Sequence, residues 1–356
     1  MAFREIVLQS WRKPNVLTVL LWPLSLFYRL AFWVNKSLYE HAFKQSYRAP
    51  VPVIVVGNIT VGGTGKTPLV IYLVEQLIEN GFKPAVISRG YGGHASDYPL
   101  QVTDATAVEL CGDEPALIVR RTGVPLCVGP DRRACIQKLL ATKDIDIIIS
   151  DDGLQHFALQ RDIELCLQDD TADIENTCLL PAGPCREAVS RLSTVDTLIR
   201  HVAYESPVQS GDVDSGDLES GELESENVDS SDLDNDEASV FMSLQAQAPR
   251  PVVASNRVFD GARKIAAVAG IGNPQRFFTT CDSMGFSFEP HAFPDHHEFV
   301  FSDIDFADTQ VLMTEKDAVK CQRFADDRHW YLPVDAKLSD GFIDDLIAMI
   351  EQVNIS

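Results

Sequence analysis

From residue 51 onward, short β-branched runs alternate with amphipathic stretches of helical period, and this predicts a chain of βαβ units. Val53–Val56 reads as a strand, a Gly-rich loop follows, and Thr67–Asn80 reads as a helix stopped by Gly81. Ala85–Ser88 and Leu126–Val128 are further strands, and Asp131–Ala141 is a helix. Ile145–Ser150 is almost wholly apolar, as a parallel strand covered on both faces must be, and Ile163–Leu167 is another strand. The rhythm continues with a strand at Thr197–Val202, then a strand at Lys264–Ala269, a loop at Gly270–Asn273 and a helix over Pro274–Met284. Val311–Met313 and Trp330–Pro333 are strands, and Phe342–Gln352 closes the chain as a helix. The expected class is α/β, a parallel sheet with helices on both faces over residues 50–190 and a smaller α/β domain over 191–356.

The first 49 residues follow another pattern. Val16–Val34 is nearly all apolar, interrupted by Pro23 and Arg29, and seven Lys/Arg against two Glu give residues 1–49 a charge of +5. Trp11, Trp22 and Trp33 recur at a spacing of 11, which on one continuous helix returns to the same face within about 20°. A Trp-lined face flanked by basic residues is what an interfacial, monotopic anchor requires, with Pro23 as a kink. A single spanning helix and a buried core helix are the competing readings, the latter leaving the basic flanks unexplained. No small-residue cleavage site follows, against a secretory signal.

Net charge changes the picture only once it is resolved along the chain. The total is −22 over 356 residues, which taken alone argues against nucleic acid and anionic membranes as partners. Residues 205–237, however, hold 13 acidic side chains and no basic one, so the remainder carries −9. That stretch repels itself and buries little, and it is expected to be a disordered acidic insertion, at about 205–240, whose removal over 209–237 leaves activity intact. It lacks the ligand spacing of a Ca²⁺ loop. No nucleic-acid partner is expected. The eight cysteines form no Cys-x-x-Cys pair and sit in apolar runs, as small buried hydrophobes of a reducing compartment do.

The strongest local chemistry is Gly62-Gly63-Thr64-Gly65-Lys66-Thr67, between a strand and a helix. There the glycines let backbone N–H groups close around phosphate oxygens, Lys66 reaches the β/γ-phosphates and the Thr67 hydroxyl ligates Mg²⁺. This makes the fold expectation a P-loop NTPase-like sheet. One departure is Thr60, which stands where the motif places its first glycine. Asp151 and Asp152 follow the apolar Ile145–Ser150 run, where an acid beside the loop holds Mg²⁺; the pair point apart, so one of them touches the metal directly. Helix capping is their alternative. Asp113, in Cys111–Pro115, reads equally as a cap or a catalyst, and Phe293–Glu298 crowds two acids and two histidines into one loop. Arg89, Arg132, Arg133, Arg186 and Arg191 stand in or beside loops after strands, where a phosphorylated substrate would use them.

Several runs together carry a resemblance. Gly57–Pro68, Ser88–Gly92, Gly112–Pro115, Asp151–His156, Pro181–Glu187, Gly270–Pro274, Asp295–His297 and Thr314–Ala318 resemble, in the same order, motifs of the tetraacyldisaccharide 4′-kinase family of lipid A synthesis. The acidic stretch is the only interruption. The resemblance implies an ATP- and Mg²⁺-dependent kinase acting on the 4′-hydroxyl of a tetraacylated glucosamine disaccharide 1-phosphate, at the cytoplasmic face of a Gram-negative inner membrane. It implies Asp113 as the base, His296 as its partner with His297 in reserve, and Glu114, Asp151 and Asp152 with Thr67 as the Mg²⁺ set. Arg89, Tyr91 and Arg186 fall in its substrate-side motifs. The competing class is a P-loop ATPase switch of the partition or division-positioning type. That type carries a signature Lys where this chain has Val61 and tends to anchor through its C-terminus. A small-molecule P-loop enzyme whose first helix is core is a third reading.

Overall fold

The computed structural model describes residues 3–171, 174–202 and 239–355. Its first helix, α1 (Phe3–Arg12), stops before Pro14, and Asn15 opens a new one, α2 (Val16–Glu40). The Asn15 side chain accepts from the amides of Leu17 and Thr18 while the Thr18 hydroxyl accepts from Asn15 N–H, a reciprocal cap. The expected three-Trp face is therefore corrected, because the spacing of 11 crosses a helix boundary. Trp11 belongs to α1 and its indole donates to the Pro181 carbonyl, whereas Trp22 and Trp33 lie exposed on α2. Helix α2 continues through Pro23.

Helix α2 is inside-out for a water-soluble protein. Its inward side is partly polar: Ser25 donates to Leu179 O at 2.8 Å and accepts from Ala182 N–H, and Tyr28 donates to Arg186 O at 3.0 Å. Phe32 completes that side against Phe157. Its outward side is apolar, with Val19, Leu20, Phe27 and Trp33 each 61–73% exposed. A helix normally buries its apolar stripe.

The main sheet is built on buried β-branched runs. In chain order its first units are β1 (Val53–Gly57), α3 (Lys66–Glu79), β2 (Pro84–Ser88), β3 (Leu100–Val102), α4 (Val108–Cys111), α5 (Asp113–Thr122), β4 (Leu126–Val128), α6 (Arg132–Thr142), β5 (Ile147–Asp151) and β6 (Ile163–Asp169). They are followed by β7 (Thr197–His201) and β8 (Ser239–Ala246). The chain then passes through β9 (Arg250–Pro251), β10 (Ile265–Ala269), α7 (Pro274–Ser283), β11 (Phe288–Ala292), α8 (Phe301–Ile304), β12 (Val311–Thr314), α9 (Glu315–Cys321) and β13 (His329–Leu332). It ends with β14 (Val334–Leu338) and α10 (Phe342–Ile355).

The main sheet has the order β14-β8-β7-β6-β1-β5-β2-β4-β3, parallel throughout except for its two edges. Leu69, Leu73 and Leu77 of α3, Ile118 of α5 and Leu346 and Ile350 of α10 fill one face, while Ile136 and Leu139 of α6 with Leu154 and Leu159 fill the other. The smaller sheet, β11-β10-β12-β13-β9, carries α7 (Phe277, Cys281) on one face and α8 and α9 (Ile304, Ala318, Cys321) on the other.

The expected break at residue 190 does not coincide with the division between the sheets. β7, β8 and β14, all beyond 190, extend the first sheet, so the chain enters the second sheet after β8 and returns from it at β14. Strands of mixed polarity near a sheet edge, such as Ser239–Ala246, escape a search for apolar runs. The acidic insertion lies in 203–238, outside the described residues. All eight cysteines are free, and all but Cys178 are buried.

Candidate active site

Strand β1 lies in the middle of the parallel sheet between β6 and β5, so the loop after Gly57 emerges at the carboxyl edge, where such sheets bind ligands. Gly65, at φ +97°, turns this loop into α3, a backbone conformation that favours glycine; a Cβ there would lie 3.2 Å from Met242 Cε and 3.5 Å from His201 Nδ1. Thr60 has its own anchor. It forms an antiparallel bridge with Cys185, and Val61 N–H donates to Pro184 O, so this half of the loop is held as a short ladder rather than by a glycine turn. Lys66 Nζ donates to Asn58 Oδ1 at 2.9 Å and stands 3.6 Å from Asp152 Oδ1.

The two adjacent aspartates diverge, as expected. Asp151 ends β5, is buried, and accepts from Ser88 Oγ at 2.9 Å. Burial, with Glu114 and Asp152 nearby, pushes its carboxyl up to about 7, against Lys66 and Ser88. Asp152 adopts φ +47°, the left-handed region, and Arg186 Nη1 lies 2.9–3.0 Å from both of its oxygens. Burial would raise its carboxyl, but Lys66 and Arg186 outweigh that and lower it.

Across the cavity the second sheet supplies a partner for Asp113. Gly112, at φ +90°, caps α5, so Asp113 opens the helix rather than capping it. His296, held at φ +58°, brings Nδ1 to 3.0 Å from Asp113 Oδ2. His297 turns the other way and bonds Asp303 at 3.0 Å, so the two neighbouring histidines are separated by geometry. Burial raises the Asp113 carboxyl, but the His296 hydrogen bond with Lys316 and Lys320 prevails and lowers it. The same bond raises the His296 imidazole against burial and Lys316. Lys316 Nζ lies 3.1 Å from Glu114, 3.7 Å from Asp113 and 3.8 Å from Asp295.

These groups surround one cavity of about 1900 Å³, walled by both sheets and reaching Tyr28 and Phe32 of α2. Gly62–Thr67, Arg89, Tyr91, Glu114, Asp151, Asp152, Arg186 and His296 all line it. Asp113 does not; it is 4% exposed and stands behind His296. The ring of Tyr91 lies 5.1 Å from that of His296, and Arg89 is exposed. Sequence reading assigned no role to Lys316, Asn58, Ser88 or His156. Lys316 sits in the Thr314–Ala318 run and His156 in the Asp151–His156 run, both noticed only as motifs. Burial with Arg132 and Arg161 nearby pushes His156 down to about 4, so it is neutral near pH 7.

A Gly-rich loop on a central parallel strand, an acid at the end of the next strand, and a carboxylate–imidazole pair across the cleft define a P-loop phosphotransferase. The family model described as "Tetraacyldisaccharide-1-P 4'-kinase" matches residues 17–351. The chain is 42% identical over 351 residues to a tetraacyldisaccharide 4'-kinase of Nitrosococcus oceani, covering 98% of this chain and 96% of the relative. A Shewanella frigidimarina protein of the same name is also 42% identical, with coverages of 98% and 96%. A crystal structure of LpxK from Aquifex aeolicus in complex with ATP superposes with a TM-score of 0.74 at 26% identity, covering 95% of this chain and 99% of that one. The chain belongs to the tetraacyldisaccharide 4′-kinase family and is a kinase. The match runs from α2 to α10, which leaves the ATPase-switch reading without support.

Proposed function

We propose that the chain transfers the γ-phosphoryl group of ATP to the 4′-hydroxyl of a tetraacylated glucosamine disaccharide 1-phosphate. The observation that carries this reading is the Asp113–His296 hydrogen bond, which sets a carboxylate–imidazole pair, with His296 at the wall, on the same cavity as the Gly62–Thr67 loop. The loop amides and Lys66 hold the nucleotide phosphates. The Asp113–His296 pair acts as a unit on the sugar hydroxyl: the carboxylate is ionised and the imidazole at the cavity wall orients against it. Phosphoryl transfer depends mainly on alignment and charge stabilisation, so a carboxylate with a lowered pKa suffices as proton acceptor. Arg89, Tyr91 and Arg186 face the acceptor sugar and its phosphate.

The donors suit Mg²⁺. The Thr67 hydroxyl, Asp151 and Glu114 are hard oxygen ligands, and Mg²⁺ usually takes one or two carboxylates with phosphate oxygens and water. Asp151 is a buried carboxylate that makes no ion pair among the described residues, so a divalent cation would relieve it. Asp152 is already matched by Lys66 and Arg186 and is the aspartate that does not touch the metal. Mg²⁺, when bound, neutralises charge on the β- and γ-phosphoryl oxygens.

The inverted helix α2 supports a place at the cytoplasmic leaflet of the inner membrane. Its inward contacts run from Ser25 to Tyr39, so the helix lies along the protein body with its apolar side free for lipid, the monotopic arrangement rather than a span. A four-chain lipid resists leaving the bilayer at about 0.8 kcal/mol per CH₂, so the enzyme must meet it there. ATP-dependent labelling of the disaccharide 1-phosphate by purified protein tests the reading. Absence of product at high enzyme would overturn it.

A further inference from the structure

Strands β6 and β7 pair in parallel with Asp169 opposite His201, which puts both residues at the carboxyl edge beside the phosphate loop. His201 is buried at 3% exposure, and its Nδ1 lies 3.1 Å from Thr64 O. A carbonyl oxygen only accepts, so Nδ1 carries the hydrogen and donates. Asp169 Oδ1 is 3.6 Å from the same nitrogen. Arg276, in the first turn of α7 on the second sheet, donates through Nη2 to both Asp169 oxygens at 2.7 and 2.5 Å and also bonds the Thr171 hydroxyl. Thr171 in turn donates to Asp169 from its hydroxyl and its amide. The catalytic reading above uses none of these groups.

In a planar trans peptide the C=O and the following N–H point in opposite directions. Holding Thr64 O on His201 therefore turns the Gly65 amide to the side away from His201. Gly65 packs against that imidazole, and without a Cβ it lets the peptide plane rotate unless something holds it. The second sheet also approaches the loop directly: a Cβ on Gly272 would lie 3.5 Å from Gly63 N.

We propose that Arg276, Asp169 and His201 form a positioning chain through which docking of the second sheet fixes the Thr64–Gly65 peptide for the nucleotide phosphates. The chain rests on the reading of Gly62–Thr67 as the ATP loop. Arg276 locks Asp169, the β6–β7 pairing ties Asp169 to His201 opposite it, and the His201 imidazole holds the Thr64 carbonyl. Burial and the neighbouring Arg276 guanidinium keep the imidazole neutral, which leaves it a single N–H, spent on Thr64 O.

The test measures ATP affinity by calorimetry together with kcat and KM for ATP. His201→Ala weakens ATP binding and raises its KM about tenfold, with kcat falling less. His201→Asn, whose amide nitrogen takes the place of Nδ1 as donor, recovers most of that affinity. Arg276→Met, at a partly exposed site, raises KM about threefold, and adding it to His201→Ala costs nothing more, because both break one chain. ATP affinity unchanged in Arg276→Met and His201→Ala, or losses that add in the double variant, would overturn the chain. Should His201→Ala fail to fold, Arg276→Met decides alone. No ATP binding by the unsubstituted protein would instead overturn the nucleotide reading, and the chain with it.

Discussion

His296 Nδ1 and Asp113 Oδ2, 183 residues apart in the chain, stand 3.0 Å apart across the cleft between the two sheets. The bond holds the carboxylate ionised and joins the first residue of α5 to a strained loop of the second sheet. Asp113→Ala is expected to lower kcat at least a hundredfold while ATP KM changes less than threefold. Steady-state kinetics at saturating lipid check it, and equal losses in both parameters would contradict it.

The same pair sets a pH dependence. With Asp113 as the proposed base and its pKa lowered, its protonation is expected to cut activity at acid pH, below the ordinary carboxylate range. Removing the His296 hydrogen bond takes away the largest influence that lowers it, so His296→Ala moves the acid limb of kcat upward in pH. Stability follows the linkage signs. The lowered Asp113 contributes stability that is lost as pH falls through its folded pKa. The raised His296 contributes stability that is lost as pH rises through its own. An unshifted acid limb in the variant would mean the bond does not tune the carboxylate.

Asp151 carries the opposite sign. Its folded pKa, about 7, lies above that of the unfolded chain, so the fold favours the protonated acid and loses stability as pH rises through 7. Asp151→Asn should abolish Mg²⁺-dependent turnover while stabilising the metal-free protein by about 1–3 kcal/mol, more at pH 8 than at pH 6. Denaturant titrations at the two pH values measure this. A destabilised Asn variant would show that Lys66 and Ser88 hold the ionised form more firmly than burial opposes it.

The outward face of α2 is separable from its inward contacts. Substituting Leu20, Phe27 and Trp33 together by Ser leaves Ser25 and Tyr28 on their carbonyl partners, so the fold persists. Loss of about 1.5–3 kcal/mol of apolar burial per residue should release the protein from anionic vesicles and leave it soluble. Vesicle sedimentation checks it; undiminished binding would place the lipid contact elsewhere.

Much of this was legible in the chain because the parallel strands are buried on both faces. Val53–Val56 and Ile145–Ser150 announce themselves as apolar runs, and the Gly-Lys-Thr turn between a strand and a helix fixes the phosphate loop. Half-exposed strands leave no such trace, so β8 and β14 went unseen and the break at 190 missed the return of the chain to the first sheet. Long-range pairings were equally hidden. Nothing local in Asp113 separates a cap from a catalyst, and only the register of the second sheet decides between His296 and His297. The Trp spacing misled because a Pro-Asn step divided the helix it assumed.

The parallel pairing of β7 with β8 adds a constraint on the acidic segment that composition could not give. Leu198 pairs with Ser239 and His201 with Met242, so the connection must run back along a full strand length. Deleting 212–232 leaves about 16 residues for that return and should preserve activity. The longer deletion of 209–237 leaves about eight, close to the minimum reach, and should lower folding yield before it affects the chemistry. Expression and activity of the two deletions distinguish the cases; a loss of turnover in the shorter one would give the segment a catalytic part.

The most direct test supplies γ-labelled ATP, Mg²⁺ and the tetraacylated disaccharide 1-phosphate in mixed micelles to purified protein, with Asp113→Ala beside it. The account predicts a bisphosphorylated lipid labelled at the 4′ position, and at least a hundredfold less of it from the variant. ATP bound by the protein with no lipid product, or equal product from both proteins, would contradict it.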